Sequence, residues 1–384
     1  MLYQPPIPAE YIALTEDEIA RRVGRHKRDF GARLVILGHH YQRDDVIRFA
    51  DYTGDSLKLA QLARAQEGAE YVVFCGVHFM AESADIVTDD AVNVILPDLS
   101  AGCSMADMAT LDQLEEAWEF LTRSTSERIV PITYVNSAAS IKAFCGQHDG
   151  ACCTSGNAPL IMTWALAQGD KVLFLPDQHL GRNTAYAMGH PLERMVVYDP
   201  DKPQGGLTAD QASEAQFVLW KGHCSVHQLF TPEQCDAVRR AEPERTILVH
   251  PECAWEVVQQ ADLAGSTEFI IKAIAEAPPG SKWAVGTEEH LVNRLAWTHE
   301  DKDVRSLATI QCLCTTMYRV SPPQLLWCLD EIARGNVVNQ ISVAPDVGRW
   351  ATVALERMLA HVSDSPVAVT PARQGSAPDL PGVS

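Results

Sequence analysis

Several signatures are missing from this chain, and each absence removes a class of function. There is no GxGxxG dinucleotide fingerprint, no GxxxxGK[ST] phosphate loop, no HExxH helix, no GxSxG elbow and no CxxC pair. Hydride transfer, NTP hydrolysis and zinc-ribbon readings therefore lose their usual support. Positive charge is scarce: 31 Lys and Arg stand against 50 Asp and Glu, a net charge of −19. That balance argues against a nucleic-acid partner. It leaves small anionic substrates open, because such ligands feel local donors and dipoles more than a distant surface. No run approaches the ~18 uninterrupted apolar residues of a membrane span, and the opening MLYQPPIPAEYIALTEDEIA lacks a basic n-region and an apolar h-region. A cytoplasmic protein with no membrane partner is expected. A disulfide framework is not expected either, since the eleven cysteines are odd in number and irregularly spaced, and 384 residues at 46% hydrophobic content bury a core without staples.

What is present has a grammar that recurs three times. Each unit opens on an apolar strand with a polar tip, then a helix and a small hydroxyl-bearing turn: RLVILGHHYQRDDVIRFADYTGDS, RIVPITYVNSAASIKAFCGQHDGACCTSGN and RTILVHPECAWEVVQQADLAGST. A second strand, polar tip and helix follow in YVVFCGVHFMAESADIV, KVLFLPDQHLGRNTAYAM and KWAVGTEEHLVNRLAW. A third section brings a cysteine ahead of a helical stretch in PDLSAGCSMADM, WKGHCSVHQLFTPEQ and IQCLCTTMYRVSPPQLLWCLDEI. Apolar runs alternating with helical patterns indicate parallel βαβ units. The expected fold is α/β, with three homologous three-layer αβα domains on short parallel sheets, arranged with pseudo-threefold symmetry around a central site. The expected divisions are a helical lead-in at 1–32 with Thr15 as an N-cap, domains at 33–127, 128–244 and 245–335, a C-terminal helical segment at 336–362 and a disordered tail at 363–384.

In parallel sheets, ligands sit beyond the carboxyl ends of the strands. His39, Tyr41, His78, Tyr134, Asn136, Asp177, His179, His250, Glu252 and Glu288 all fall there. A single polar tip often only caps the next helix; recurrence in three units favours one shared site.

Of the eleven cysteines, only Cys103, Cys224 and Cys314 occupy the same place in every unit. Around a threefold axis, equivalent positions face one another and the three thiolates converge. Such a set suits an iron–sulfur cluster with one iron lacking a protein ligand, or a zinc with an open position. An open metal position is what Lewis-acid catalysis needs. Cys312, two residues before Cys314, competes for the third place. Cys75, Cys235, Cys253 and Cys328 read as structural, and the pair Cys152–Cys153 stands outside the scheme.

The runs LGHHYQRDDVIRFADYTGDSL, VFCGVHFMAESADIV, PDLSAGCSMADM, YVNSAASIKA, CTSGNA, LPDQHLG, WKGHCSVH, HPEC, ADLAGSTEFI, VGTEEHLVNRL and CTTM resemble the quinolinate synthase family, iron–sulfur enzymes of de novo NAD biosynthesis. The resemblance spans about residues 33 to 335, in order and in all three units. It implies a [4Fe-4S] cluster on Cys103, Cys224 and Cys314, the last chosen over Cys312 because the family places methionine three residues after the ligand, as Met317 stands here. It also implies condensation of iminoaspartate with dihydroxyacetone phosphate to quinolinate, releasing phosphate and two waters, and functional coupling to an iminoaspartate-producing enzyme. Under the resemblance Tyr41 donates and accepts protons, His39 orients substrate, and Glu252 is the general base beside the cluster. Tyr134, Asn136 and His250 match the other strand tips, with Tyr134 and His250 counted among the catalytic residues. Ser56, Ser155, Ser266 and Thr267 match hydroxyls that hold carboxylates or phosphate. For His78, Asp177, Gln178, His179, His227 and Glu288, a place behind the site or between domains stands beside direct contact with substrate as an expectation. Two other functions share part of the pattern: an aconitase-like dehydratase keeps the cysteines without needing the HxY, YxN and HPE tips, and an iron–sulfur sensor needs no base.

Overall fold

The computed structural model describes residues 3–361; the tail expected at 363–384 lies outside the described residues. The chain builds three mostly parallel sheets in sequence order. The first contains β1 (Leu34–His39), β2 (Tyr52–Gly54), β3 (Tyr71–Cys75) and β4 (Asn93–Ile95). The second contains β5 (Ile129–Tyr134), β6 (Ala151–Cys153), β7 (Lys171–Leu175), β8 (Met195–Tyr198) and β9 (Phe217–Trp220). The third contains β10 (Thr246–Val249), β11 (Leu263–Ala264), β12 (Lys282–Gly286) and β13 (Asp303–Ser306). A last short strand, β14 (Gln340–Ile341), joins the first sheet antiparallel to β4.

One strand order recurs: β2-β1-β3-β4, β6-β5-β7-β9 and β11-β10-β12-β13. The second sheet adds β8 at its outer edge, paired with β9. The polar insertion at 199–216 thus lies between two neighbouring strands and leaves the shared order intact. All six residues of β1 and of β5 are buried, as a sheet covered by helices on both faces requires. Asp51 and Asp262 repeat one local device. Each carboxylate accepts the N–H of a residue in the unit's first strand, Ile36 or Ile247, at 2.8 Å.

Helix ends repeat as well. The helices Leu111–Ser124, Pro232–Ala241 and Pro322–Ala333 each begin at a capping box, on Thr110, Thr231 and Ser321 with a glutamine three residues later. Thr15 caps the lead-in helix Glu16–Phe30 in the same way with Glu18. Asp330 accepts from Tyr11 at 2.8 Å and pairs with Arg22 and His26, which ties the lead-in to the helix Pro322–Ala333. At the other end, the helix Pro345–Ala360 packs on the helix Ala139–Gln147 so closely that a Cβ on Gly146 would stand 2.0 Å from the Trp350 carbonyl oxygen. Only glycine permits that approach. No helix among the described residues is long and apolar enough to cross a membrane.

Candidate active site

The tips of β1, β5 and β10 meet at one cavity, lined by His39, Tyr41, Tyr134, Asn136, His250 and Glu252. Cys103, Cys224 and Cys314 line the same cavity, as do Ser56, Ser155 and Thr267. The expected site residues are therefore brought together from all three sheets, with one exception. Ser266 is buried and caps the helix Thr267–Glu276, its hydroxyl accepting the Phe269 N–H at 3.3 Å. Ser56 follows the N-cap, which is Asp55.

The first and third tips are built alike. His39 Nδ1 accepts the N–H of Tyr41 at 3.1 Å, and His250 Nδ1 accepts the N–H of Glu252 at 3.3 Å. Accepting at Nδ1 fixes the neutral tautomer with hydrogen on Nε2. In His250 that Nε2 lies 3.2 Å from the Ser155 hydroxyl. Burial pushes both imidazoles down to about 3, so each acts as a neutral hydrogen-bond donor.

This burial has a consequence for stability. Below about 6.5 the unfolded chain protonates both histidines, whereas the folded chain does so only near 3. The unfolded state therefore binds more protons between those values, and stability falls as pH drops through that window, by up to roughly 1.4 kcal/mol per pH unit for each histidine. The thermal midpoint should fall between pH 7.5 and 5.5, and less steeply in the His39→Gln/His250→Gln double variant; parallel slopes would refute this account.

A hydrogen-bonded chain runs along one wall. The Tyr41 hydroxyl lies 3.0 Å from Thr267 Oγ1 and 2.9 Å from Thr287 Oγ1. Thr287 Oγ1 lies 3.1 Å from His227 Nε2, and His227 Nδ1 lies 2.8 Å from Glu252 Oε2. On the far side, the Tyr134 hydroxyl interacts with Glu252 and Ser155. Burial works against the Glu252 carboxylate, but His227 and the Tyr134 hydroxyl, which bond to it, hold the carboxyl below its usual range. Burial, with the Glu252 charge added, pushes the Tyr41 and Tyr134 phenols well up. The wall thus offers one ionised carboxylate between two protonated phenols. Asn136 Oδ1 is buried and has no hydrogen-bond partner among the described residues, which leaves it free to meet a ligand.

Sequence reasoning missed Thr287 and weighed His227 only as an accessory. His227 stands three residues after Cys224, and Thr287 follows β12 immediately, so position was the available signal. His78, Asp177, Gln178, His179 and Glu288 do not line the cavity. Glu288 instead caps the helix Glu289–Thr298 and accepts the Cys314 N–H at 3.3 Å.

The three cysteines share one local geometry. In each, the carbonyl accepts from the residue four positions on, Asp107, Gln228 or Tyr318, at 3.2, 3.1 and 3.0 Å. The N–H three positions on, from Ala106, His227 or Met317, faces the thiol. The element that follows each cysteine is a single 3₁₀ turn, Ala106–Met108, His227–Leu229 or Met317–Arg319, ahead of the expected helical stretch. The α-helix begins only after the capping box, so amides of the turn are the ones that face the thiol. Burial pushes the Cys103 thiol up to about 12 and raises those of Cys224 and Cys314. Cys224 Sγ, a His227 ring nitrogen and a Glu252 oxygen also lie within 4.8 Å of one another. His227 and Glu252 already bond to each other there. Cys312 is fully buried in the apolar cluster of Val226, Phe230 and Leu307, outside the cavity lining. Cys152 and Cys153 form part of β6 in the core.

Residues 21–360 match the family model described as quinolinate synthetase A protein. Curated relatives named quinolinate synthase include one from Anoxybacillus flavithermus, 55% identical over 92% of this chain and 96% of its own length. Others come from Acidobacterium capsulatum, 54% identical over 91% and 94%, and Bacillus anthracis, 51% identical over 93% and 96%.

Proposed function

Because this chain belongs to the quinolinate synthase family of enzymes, we propose that it condenses iminoaspartate with dihydroxyacetone phosphate to quinolinate, releasing phosphate and two waters. The observation that carries the reading is the meeting, in one cavity, of three equivalent cysteines with a wall of proton-transfer groups.

The residues present fit a [4Fe-4S] cluster. Cys103, Cys224 and Cys314 are thiols whose burial disfavours the thiolate, so a cation must compensate three thiolates gathered there. The three would hold the cluster and leave one iron without a protein ligand; when bound, that iron supplies Lewis acidity toward a substrate oxygen.

The chain's own groups divide the remaining work. Glu252, ionised and steadied by His227, takes a proton from the condensing carbon skeleton. Tyr41 keeps its proton and delivers it to a departing oxygen; Thr287 and His227 connect its hydroxyl to Glu252, so the two can exchange protons along hydrogen bonds. His39 and His250 donate from Nε2 and orient substrate without changing charge. Tyr134 and Asn136 position the acceptor side. Ser56, Ser155 and Thr267 offer hydroxyls to the carboxylates and phosphate, and Ser56 and Thr267 add the first-turn amides of their helices. Ser266 acts through the helix it caps.

An anaerobic assay with dihydroxyacetone phosphate and freshly made iminoaspartate should form quinolinate. The same preparation should carry about four irons and absorb broadly near 400 nm, as three thiolates on iron–sulfur require. Iron-free protein holding zinc tightly, or absence of quinolinate from iron-replete protein, would overturn the reading. Functional coupling to an enzyme that produces the unstable imine belongs to the same proposal.

A further inference from the structure

Two contacts that the proposed chemistry leaves unused follow one pattern. The residue at the centre of each strand tip is Tyr41 after β1, Asn136 after β5 and Glu252 after β10. From the helix Glu289–Thr298, which follows β12 in the third sheet, Arg294 reaches across to the first tip. Its Nη1 donates to the His40 carbonyl and its Nη2 to the Gln42 carbonyl, both at 2.8 Å. Its Nε donates to Asp44 at 2.8 Å, which fixes the plane of the guanidinium. Arg294 thus holds the chain on either side of Tyr41. The Tyr41 hydroxyl meets Thr267 and Thr287, from the same third unit, so both the backbone and the far end of this side chain are anchored there.

The third tip is gripped in the same way. From the helix Gln178–Ala187, which follows β7 in the second sheet, Asn183 Nδ2 donates to the carbonyls of Pro251 at 2.8 Å and Cys253 at 2.9 Å, the two residues that flank Glu252. Asn183 and Arg294 each stand six residues after the N-cap of their helix, Asp177 and Glu288. The equivalent place after Val77 in the first unit is Ser83, whose hydroxyl turns back to the Phe79 carbonyl of its own helix at 2.8 Å. At the second tip, Lys142 of the same unit takes the Ser137 carbonyl. Among the described residues, the grip from a neighbouring unit therefore recurs at the two tips whose central residue is given a proton-transfer role, and not at the tip of Asn136.

We propose that Arg294 is a positioning residue for the reaction: by pinning the two peptides around Tyr41 to the third unit, it keeps the phenol at the place from which it delivers its proton. The inference rests on the reading of Tyr41 as the proton donor. Arg294 does not line the cavity and acts through Tyr41. Proton transfer needs the donor within hydrogen-bond reach of the departing oxygen, so a shift of about 1 Å is enough to slow it steeply. Two further contacts, His40 Nε2 to Glu268 at 3.0 Å and the Arg43 guanidinium over the Tyr318 ring, lie on the same seam, but neither takes a carbonyl beside Tyr41.

In the iron-replete enzyme, Arg294→Ala should lower kcat, normalised to iron content, roughly ten- to hundredfold with KM near that of the parent. Arg294→Lys keeps the charge beside Asp44 but cannot span both carbonyls, and should recover only part of the loss. Added to Tyr41→Phe, either change should lower kcat no further, because a residue that acts through Tyr41 has nothing left to place. A purely structural role would instead multiply the two losses. Multiplied losses, or parent-like kcat in both Arg294 variants, overturn the inference. If Arg294→Ala fails to fold or loses iron, Arg294→Lys, alone and on Tyr41→Phe, decides by the same comparison. Near-parent turnover in Tyr41→Phe removes the proton donor itself and the inference with it, whereas an impaired Tyr41→Phe beside unaffected Arg294 variants removes only the positioning role.

Discussion

Cys314→Ser is expected to lose its iron and all quinolinate formation, while Cys312→Ser keeps both. The two thiols stand two residues apart in sequence and are equal candidates on spacing, but their surroundings differ. Cys314 lines the cavity with Cys103 and Cys224, its thiol 3.5 Å from Thr316 Oγ1 and faced by the Met317 N–H. Cys312 lies in an apolar cluster, its thiol directed at the Ile310 carbonyl at 3.6 Å. On the proposed cluster, a serine at 314 removes one of its three thiolates, so the iron count should fall from about four toward zero. A serine at 312 costs only the burial of a hydroxyl, about 1–3 kcal/mol of stability, partly offset by the same carbonyl. Iron analysis and absorption near 400 nm on the two anaerobically purified variants decide it. Retention at 314 with loss at 312 would transfer the third ligand.

Glu252→Gln is expected to keep the cluster and lower turnover by about 10²- to 10⁴-fold, the range for removing a general base. The substitution preserves shape and leaves an amide that can still bond His227 Nδ1, so the wall from Tyr41 through Thr287 and His227 should hold. What disappears is the one carboxylate that its neighbours keep ionised despite burial. Glutamine is neutral at every pH and cannot take a proton. Quinolinate formed in a single turnover, normalised to iron content, reads the effect directly. Turnover near that of the parent enzyme would remove Glu252 as the base.

Much of this site is legible along the chain. Apolar runs with polar tips mark β1, β5 and β10, and the recurring capping boxes at Thr110, Thr231 and Ser321 mark the helix after each cysteine section. These signals are local: a strand's burial pattern and a cap's hydrogen bonds are set within a few residues. Repetition of the three units then singled out Cys103, Cys224 and Cys314, because equal places in equal units carry equal surroundings. The 3₁₀ turns between each cysteine and its helix leave no mark along the chain, since one turn has too few residues to show a period.

Tertiary structure alone decided that Ser266 caps a helix without lining the cavity, and that Thr287 and His227 join Tyr41 to Glu252. Those four residues come from separate strand tips and loops of different sheets, spread from 41 to 287. Their hydrogen bonds exist only once the three sheets have packed against one another. The packing of faces is set by the summed shape and burial of whole units, so no spacing along the chain encodes it. Sequence by itself determined the strands, the caps and the equivalent thiols; the directions in which side chains point across the junction of the three sheets belong to the folded structure.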